Sequence, residues 1–315
     1  MLDRLGAVLR TWVLSIVLAT FALLLAGCNV VAWKQASIEQ RMRAAGLEAA
    51  TMRVGADTIH YWAGGRGPTV VLVHGFGGSG VWLWYPQAED LAKDHRLVVP
   101  DLLWFGDSRS DERDYTIDHQ VHAVEALLDR LDAREASVVG VSYGGLVAHE
   151  LASDRASAVR RLVLVDTPGR VYTREDYRLL CHRFHVEHLG RVLVPDDADG
   201  VDRLLGLAYY DPPWVPDFAL RQTLTALYAP YREERVALLD GLLDNMEALK
   251  ARPVTLTART MVVWGRQDPV FPIEVGERLA ASLHAPLRVL EKARHAPNLE
   301  HPEAFNGLLR SFLAE

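Results

Sequence analysis

Six short apolar runs, over residues 69–74, 96–100, 137–141, 161–165, 260–264 and 287–290, constrain this chain more than any other feature. Runs that are short, continuous and rich in Val and Leu suit strands buried on both faces. Between two of them Ile117, Val121, Val124, Leu128 and Leu131 recur at helical spacing, with Thr116 or Asp118 placed to cap the first turn. Strands alternating with amphipathic helices predict an α/β fold: a mostly parallel, roughly eight-stranded sheet flanked by helices, with ligands bound beyond the carboxyl ends of the strands. A hairpin precedes the alternation, with strands over 51–54 and 58–63 around the turn residues Gly55, Ala56 and Asp57. The rhythm stops between 170 and 252, where aromatic, proline and charged residues mix without strand-like runs. That stretch reads as an inserted helical lid, which divides the core into 51–169 and 253–315.

The N-terminus reads differently. Arg4 and Arg10 precede an uncharged run over 11–33, close to the length of about 20 apolar residues that a bilayer demands. Residues 1–33 are therefore expected to be a signal peptide or a membrane anchor, and the charged residues 34–50 a stalk helix. Within the run, Leu25, Ala26, Gly27 and Cys28 resemble the lipobox of bacterial lipoprotein signal peptides, which implies lipidation of Cys28. The apolar residues Val30 to Trp33 beyond it also fit an uncleaved anchor. Either reading puts the protein on a membrane, and the lipoprotein reading puts it on the periplasmic or outer side. Cys181 is then left without an intramolecular partner, so no structural disulfide is expected. The net charge of −7 gives no basic footprint for nucleic acid.

The chemistry is read at strand ends. Gly140, Val141, Ser142, Tyr143, Gly144 and Gly145 follow one apolar run and precede a good helix start. A serine on so sharp a strand-to-helix turn points its hydroxyl out of the sheet, and small flanking residues permit the close backbone packing the turn needs. These residues resemble the nucleophile elbow of the α/β-hydrolase superfamily, and the resemblance covers nearly everything after residue 51. His74, Gly75, Phe76, Gly77 and Gly78 are similar to that family's HGxG segment, which implies an oxyanion hole made by the backbone N–H groups of Phe76 and Tyr143. A serine hydroxyl is a weak nucleophile without a base that is itself oriented by an acid. In this fold the chain order is Ser, acid, His, which implies Asp268, just after an apolar run, and His295, after the last one. Asp166, which ends the run over 161–165, is the alternative acid. Arg294 stands where the family more often has Gly.

Serine at position 142 implies acyl transfer through an acyl-enzyme and needs no cofactor. The segment from Asp101 to Ser108, with the Ser142-Tyr143 pair and the N-terminal segment, is similar to monoacylglycerol-lipase-like and carboxylesterase branches, although those carry Pro-Gly where Leu103 and Trp104 stand. A small hydrophobic ester is the expected substrate, and the sequence points to no obligate protein partner. Tyr209, Tyr210, Trp214, Phe218, Tyr228 and Tyr231 suit an apolar acyl pocket, and equally a core of the lid's own. Hydrolysis of C–C bonds in ring-cleavage products, thioester hydrolysis and perhydrolysis run on the same triad. An anchored binding protein would have little reason to keep all of these groups. Cys181, His185 and His188 would share a face of one helix, but a single helix seldom completes a metal shell, so no metal is assigned.

Overall fold

The structure is a computed structural model, and it describes residues 29–315, with Trp12 apart from them. The expectations placed on Cys28 and on the anchor before Asn29 lie outside the described residues. Among these residues no helix is long and apolar enough to cross a membrane.

Helix α1 (Val30–Ala44) leads into strand β1 (Leu47–Val54), which pairs antiparallel with β2 (Asp57–Gly65) across the turn at Gly55 and Ala56. Gly55 has φ 57°, the left-handed backbone that a tight hairpin asks of its turn residue. The strand begins at Leu47, four residues before the 51 expected. α1 is no free stalk: Ile38 and Met42 are fully buried against Leu47, Trp62 and Trp84. Only two side chains one turn apart make this contact, a stripe too narrow to stand out in a charged sequence.

β3 (Thr69–Val73), α2 (Gly80–Leu91), β4 (Arg96–Pro100), the two-residue β5 (Arg109–Ser110), α3 (Ile117–Arg130), β6 (Ala136–Val141), α4 (Tyr143–Asp154) and β7 (Val159–Val165) follow in order. β8 (Arg259–Gly265), α11 (Ile273–Ser282), β9 (Leu287–Leu290), α12 (Pro297–Glu300) and α13 (Pro302–Ala314) complete the core after the lid. The sheet runs β1-β2-β4-β3-β6-β7-β8-β9, with β5 paired to β2 off this path. From β4 onward the pairings are parallel. Successive residues of one strand enter opposite layers. Val70 and Leu72 pack with α1, α2 and α13, whereas Val71 and Val73 pack with α3, α4 and α11. Burial on both faces is why each strand reads as an unbroken apolar run. Thr116 caps α3, its hydroxyl accepting the His119 N–H at 3.3 Å.

The lid contains no strand among the described residues. It comprises α5 (Arg174–Arg183), α6 (Gly190–Leu193), α7 (Ala198–Ala208), α8 (Asp217–Thr223), a π-helical turn (Leu224–Tyr228), α9 (Arg232–Asp244) and α10 (Met246–Ala251). Both of its ends meet at one buried carboxylate. Glu150, on α4, accepts two hydrogen bonds from Arg170 at 2.7 and 2.8 Å, and Arg170 also donates to the carbonyls of Arg252 and Pro253. Burial alone would raise the Glu150 carboxyl, but the bonds from His149 and Arg170 outweigh it and hold the group below the usual carboxylate range. A buried carboxylate stripped of its main partner is costly, so Arg170→Met is expected to destabilise the fold by about 3 kcal/mol in urea titrations. A loss well under about 1 kcal/mol would mean that His149 and Arg252 hold Glu150 without it.

Candidate active site

All the chemistry-bearing residues lie at the carboxyl ends of parallel strands. β6 is buried along its whole length and ends at Ser142, whose φ of 55° and ψ of −122° are unusual for a residue with a side chain. Backbone contacts hold this conformation. The Ser142 N–H donates to the Val165 carbonyl at 2.8 Å, and the Ser142 carbonyl accepts from Gly145 N–H and from the Thr167 hydroxyl, at 3.0 and 2.8 Å. Gly144 sits so close to β3 that a Cβ there would lie 2.2 Å from the His74 carbonyl oxygen. That contact is the physical reason for glycine at this position.

The Ser142 hydroxyl lies 2.9 Å from His295 Nε2, and His295 Nδ1 lies 2.8 Å from Asp268 Oδ2. The other Asp268 oxygen accepts the N–H groups of Val270 and Phe271 at 2.7 and 3.1 Å. Asp268 is reached by a loop tied to its neighbours: Trp264 Nε1 donates to the Phe271 carbonyl, and Gln267 exchanges hydrogen bonds with Ala293 on the histidine loop. An imidazole held in this way by a carboxylate can take the serine proton.

Asp166 makes no contact with His295. Fully buried, it accepts one hydrogen bond from Gly265 N–H at 2.9 Å, and its second oxygen has no partner. Burial and then the charge of nearby Asp268 raise its carboxyl well above the ordinary range. Of the two acids, Asp268 is the one hydrogen-bonded to the imidazole.

Opposite the serine, the segment after β3 passes over the elbow. A Cβ on Gly75 would lie 3.0 Å from Ser142 Cβ, and the rings of Phe76 and Tyr143 meet edge to face at 5.0 Å. Phe76 and Tyr143, the expected oxyanion donors, thus stand on two chain segments that meet beside the Ser142 side chain. His74 fastens the first of them. Its Nε2 accepts the Leu102 N–H at 2.9 Å, so Nδ1 carries the proton and donates to the Gly75 carbonyl at 2.7 Å. Burial lowers the His74 pKa and keeps the ring neutral.

Residues 68–302 match the family model described as the alpha/beta hydrolase fold. The chain belongs to the α/β-hydrolase fold family. It is similar to the 2-hydroxymuconate semialdehyde hydrolase of Pseudomonas sp. (strain CF600), 30% identical over 80% of this chain and 88% of that one. It is equally similar to the pimeloyl-[acyl-carrier protein] methyl ester esterase of Aeromonas salmonicida (strain A449), 30% identical over 79% of this chain and 96% of that one. Among solved structures, a membrane phospholipase A described as a bacterial virulence factor superposes with a TM-score of 0.68, at 26% identity, over 97% of this chain and 98% of its own.

Arg294, in the place of the usual glycine, donates to the Gly206 carbonyl at the end of α7, and His295 N–H and Ala296 N–H donate to the carbonyls of Leu207 and Ala208. The histidine loop is therefore fastened to the lid. Trp104 is buried against Tyr115 and His119 and packs rather than narrowing an opening. An apolar cavity of about 80 Å³ lies under the lid, lined by Leu146, one turn after the serine, and by Phe271, whose ring packs on His295. Leu239, Leu242, Leu243 and Met246 line its lid side. None of the six lid aromatics singled out in the sequence lines this cavity: Tyr228 sits in the lid's own core, and Trp214 and Tyr210 are exposed. The proposed face of Cys181, His185 and His188 does not form, because α5 ends at Arg183 and His185 turns into the left-handed region at φ 53°. Cys181 is a buried free thiol, and His188 pairs with Asp240 at 2.8 Å.

The two acids should separate cleanly. Asp268→Asn is expected to lower kcat by about 10⁴-fold, as loss of the imidazole's orienting anion does elsewhere. Asp166→Asn should keep most of the activity. Because its folded pKa is raised, Asp166 favours the folded state below the ordinary Asp range, and that contribution drains away as pH rises toward the raised value. Asp166→Asn should accordingly remove a fall in stability of up to about 1.4 kcal/mol per pH unit above pH 4. Melting curves across pH 4–8 check the sign, and a greater activity loss in Asp166→Asn than in Asp268→Asn would reverse the assignment.

Proposed function

We propose that the chain hydrolyses carboxylic esters with hydrophobic acyl groups, through an acyl-enzyme on Ser142. The observation that carries this reading is the continuous line Ser142, His295, Asp268, with Phe271, which packs on His295, lining an apolar cavity under the lid. His295 takes the proton as Ser142 Oγ attacks the carbonyl carbon, and the negative oxygen of the tetrahedral adduct is met by the Phe76 and Tyr143 N–H groups. The adduct collapses, the C–O bond to the alcohol breaks, and His295 returns the proton to the departing alcohol. Water, deprotonated by the same imidazole, then releases the acid and restores the serine. Two of the similar proteins, the methyl ester esterase and the phospholipase, carry names that denote the same bond class.

On this reading residues 1–33 tether the enzyme to a membrane, through a lipidated Cys28 or an uncleaved helix, close to lipid-like esters. The supports are the charged, apolar and small-residue order ending at Cys28, and the likeness over almost the whole chain to a protein titled a membrane phospholipase.

Ser142→Ala should abolish fluorophosphonate labelling and reduce ester turnover by roughly a million-fold. Labelling that survives the substitution would refute the nucleophile. A series of p-nitrophenyl and monoacylglycerol esters run beside a ring-cleavage dienoate should show turnover of the esters alone. Dienoate turnover without ester turnover would assign C–C hydrolysis in its place. For the anchor, fatty-acid incorporation in cells should disappear in Cys28→Ser, and incorporation that persists would exclude the lipobox.

A further inference from the structure

The oxyanion segment is fastened on one side by His74, within the core. Beyond Phe76, among the described residues, no hydrogen bond from the core holds Gly77 or Gly78 in the same way. A Cβ on Gly77 would meet no atom within 4 Å, and one on Gly78 only Trp82 Cβ at 3.6 Å. Gly77 is exposed, and two successive glycines leave the backbone here with few steric restraints of its own. Their restraint comes from the lid. The Tyr228 hydroxyl donates to the Gly77 carbonyl at 2.9 Å, across 151 residues of sequence.

Tyr228 is placed for this contact from both sides. Its ring is buried among Ala198, Val201 and Leu220 of the lid's own core, at the last residue of the π-helical turn. Short π-helical insertions recur at functional positions, where they re-aim a side chain. The peptide preceding Tyr228 is tied back to the core by Arg235, which donates to the Leu227 carbonyl at 2.6 Å and to the Trp104 carbonyl at 2.9 Å. The Arg235 guanidinium lies 4.6 Å over the Phe105 ring, Phe105 meets Phe76 edge to face at 5.1 Å, and Phe76 meets Tyr143 at 5.0 Å. Arg235 is 2% exposed and pairs with no carboxylate among the described residues, so its charge is balanced by carbonyl dipoles and the ring face. Burial pushes the Tyr228 hydroxyl up to about 12, so it remains a donor throughout neutral pH.

We propose that Tyr228, braced by Arg235, is a positioning residue for the oxyanion hole: the lid, and not the core alone, fixes the backbone that carries the Phe76 N–H. The inference rests on the ester-hydrolase reading above. It makes the lid part of the transition-state apparatus as well as a wall of the acyl cavity. A donor that drifts loses its hold on a charge that exists only in the transition state, so the loss should fall on kcat and not on ground-state binding.

The test is Tyr228→Phe in the full chain, which deletes one hydroxyl and keeps the ring. With a short p-nitrophenyl ester, kcat should fall by roughly 10- to 100-fold while KM stays within about twofold, the range expected when a positioned group is displaced. Affinity for a trifluoromethyl ketone, to which Ser142 adds to give a tetrahedral oxyanion, should fall by the same factor. Arg235→Lys should shift both quantities in the same direction. A rise in KM at unchanged kcat would assign Tyr228 to acyl binding and overturn the proposal. So would a lowered melting temperature with kcat and ketone affinity unchanged. Failure of the underlying reading is separable, because it would show as wild-type enzyme that turns over no ester and takes up no ketone.

Discussion

The strained turn at Ser142 is the constraint on which the other parts depend. A non-glycine residue at φ 55° costs on the order of 1–3 kcal/mol and persists only where its surroundings leave it no alternative. Here they are β6, buried on both faces, the Val165 carbonyl, the Thr167 hydroxyl and a helix whose second residue touches β3. The elbow in turn sets the distances. Because β3, β7, β8 and β9 are registered about β6, the oxyanion segment, both aspartates and the histidine loop emerge at one edge of the sheet. A rigid sheet lets residues far apart in sequence meet to within a hydrogen bond.

Two buried acids close to one imidazole would be a poor arrangement if both ionised. The structure resolves this by unequal solvation. Asp268 gathers two backbone N–H groups and the imidazole, whereas Asp166 has a single N–H and an unpartnered oxygen. The acid with the more donors is therefore the one that orients His295. The lid touches the same machinery at several places, among them Arg294 to Gly206, the histidine loop to Leu207 and Ala208, Arg183 to the Pro269 carbonyl, and Tyr228 to Gly77.

Much of this was legible in the sequence, for identifiable reasons. Buried parallel strands announce themselves as unbroken apolar runs, and all six expected strands form within two residues of their expected bounds. Ser142 was legible because strand, turn and helix meet at it. Asp268 and Asp166 were harder to separate, since both follow apolar strands, and only the curl of the loop from Trp264 to Phe271 distinguishes them. Thr167, Glu150, Tyr228 and Arg235 left no local signature at all. Their partners are distant in the chain, and a tyrosine in an aromatic-rich lid looks the same whether it lines a pocket or fastens a loop. α1 reads as a stalk in the sequence because Ile38 and Met42, the two side chains it sinks into the core, do not make a visible stripe among charges.

The clasp at Glu150 has a broader meaning for how such a protein can change over time. Since the Arg170 guanidinium binds the Glu150 carboxylate together with the carbonyls of Arg252 and Pro253, the inserted segment leaves and rejoins the core at almost the same point. An insertion whose ends already meet imposes little on its host, because the entropy of closing it grows only slowly with its length. The run between Arg170 and Arg252 can thus lengthen, shorten or be exchanged while the sheet keeps its register. On the role proposed for Tyr228, such an exchange would have to preserve a hydroxyl for Gly77, along with the carbonyls that hold the histidine loop.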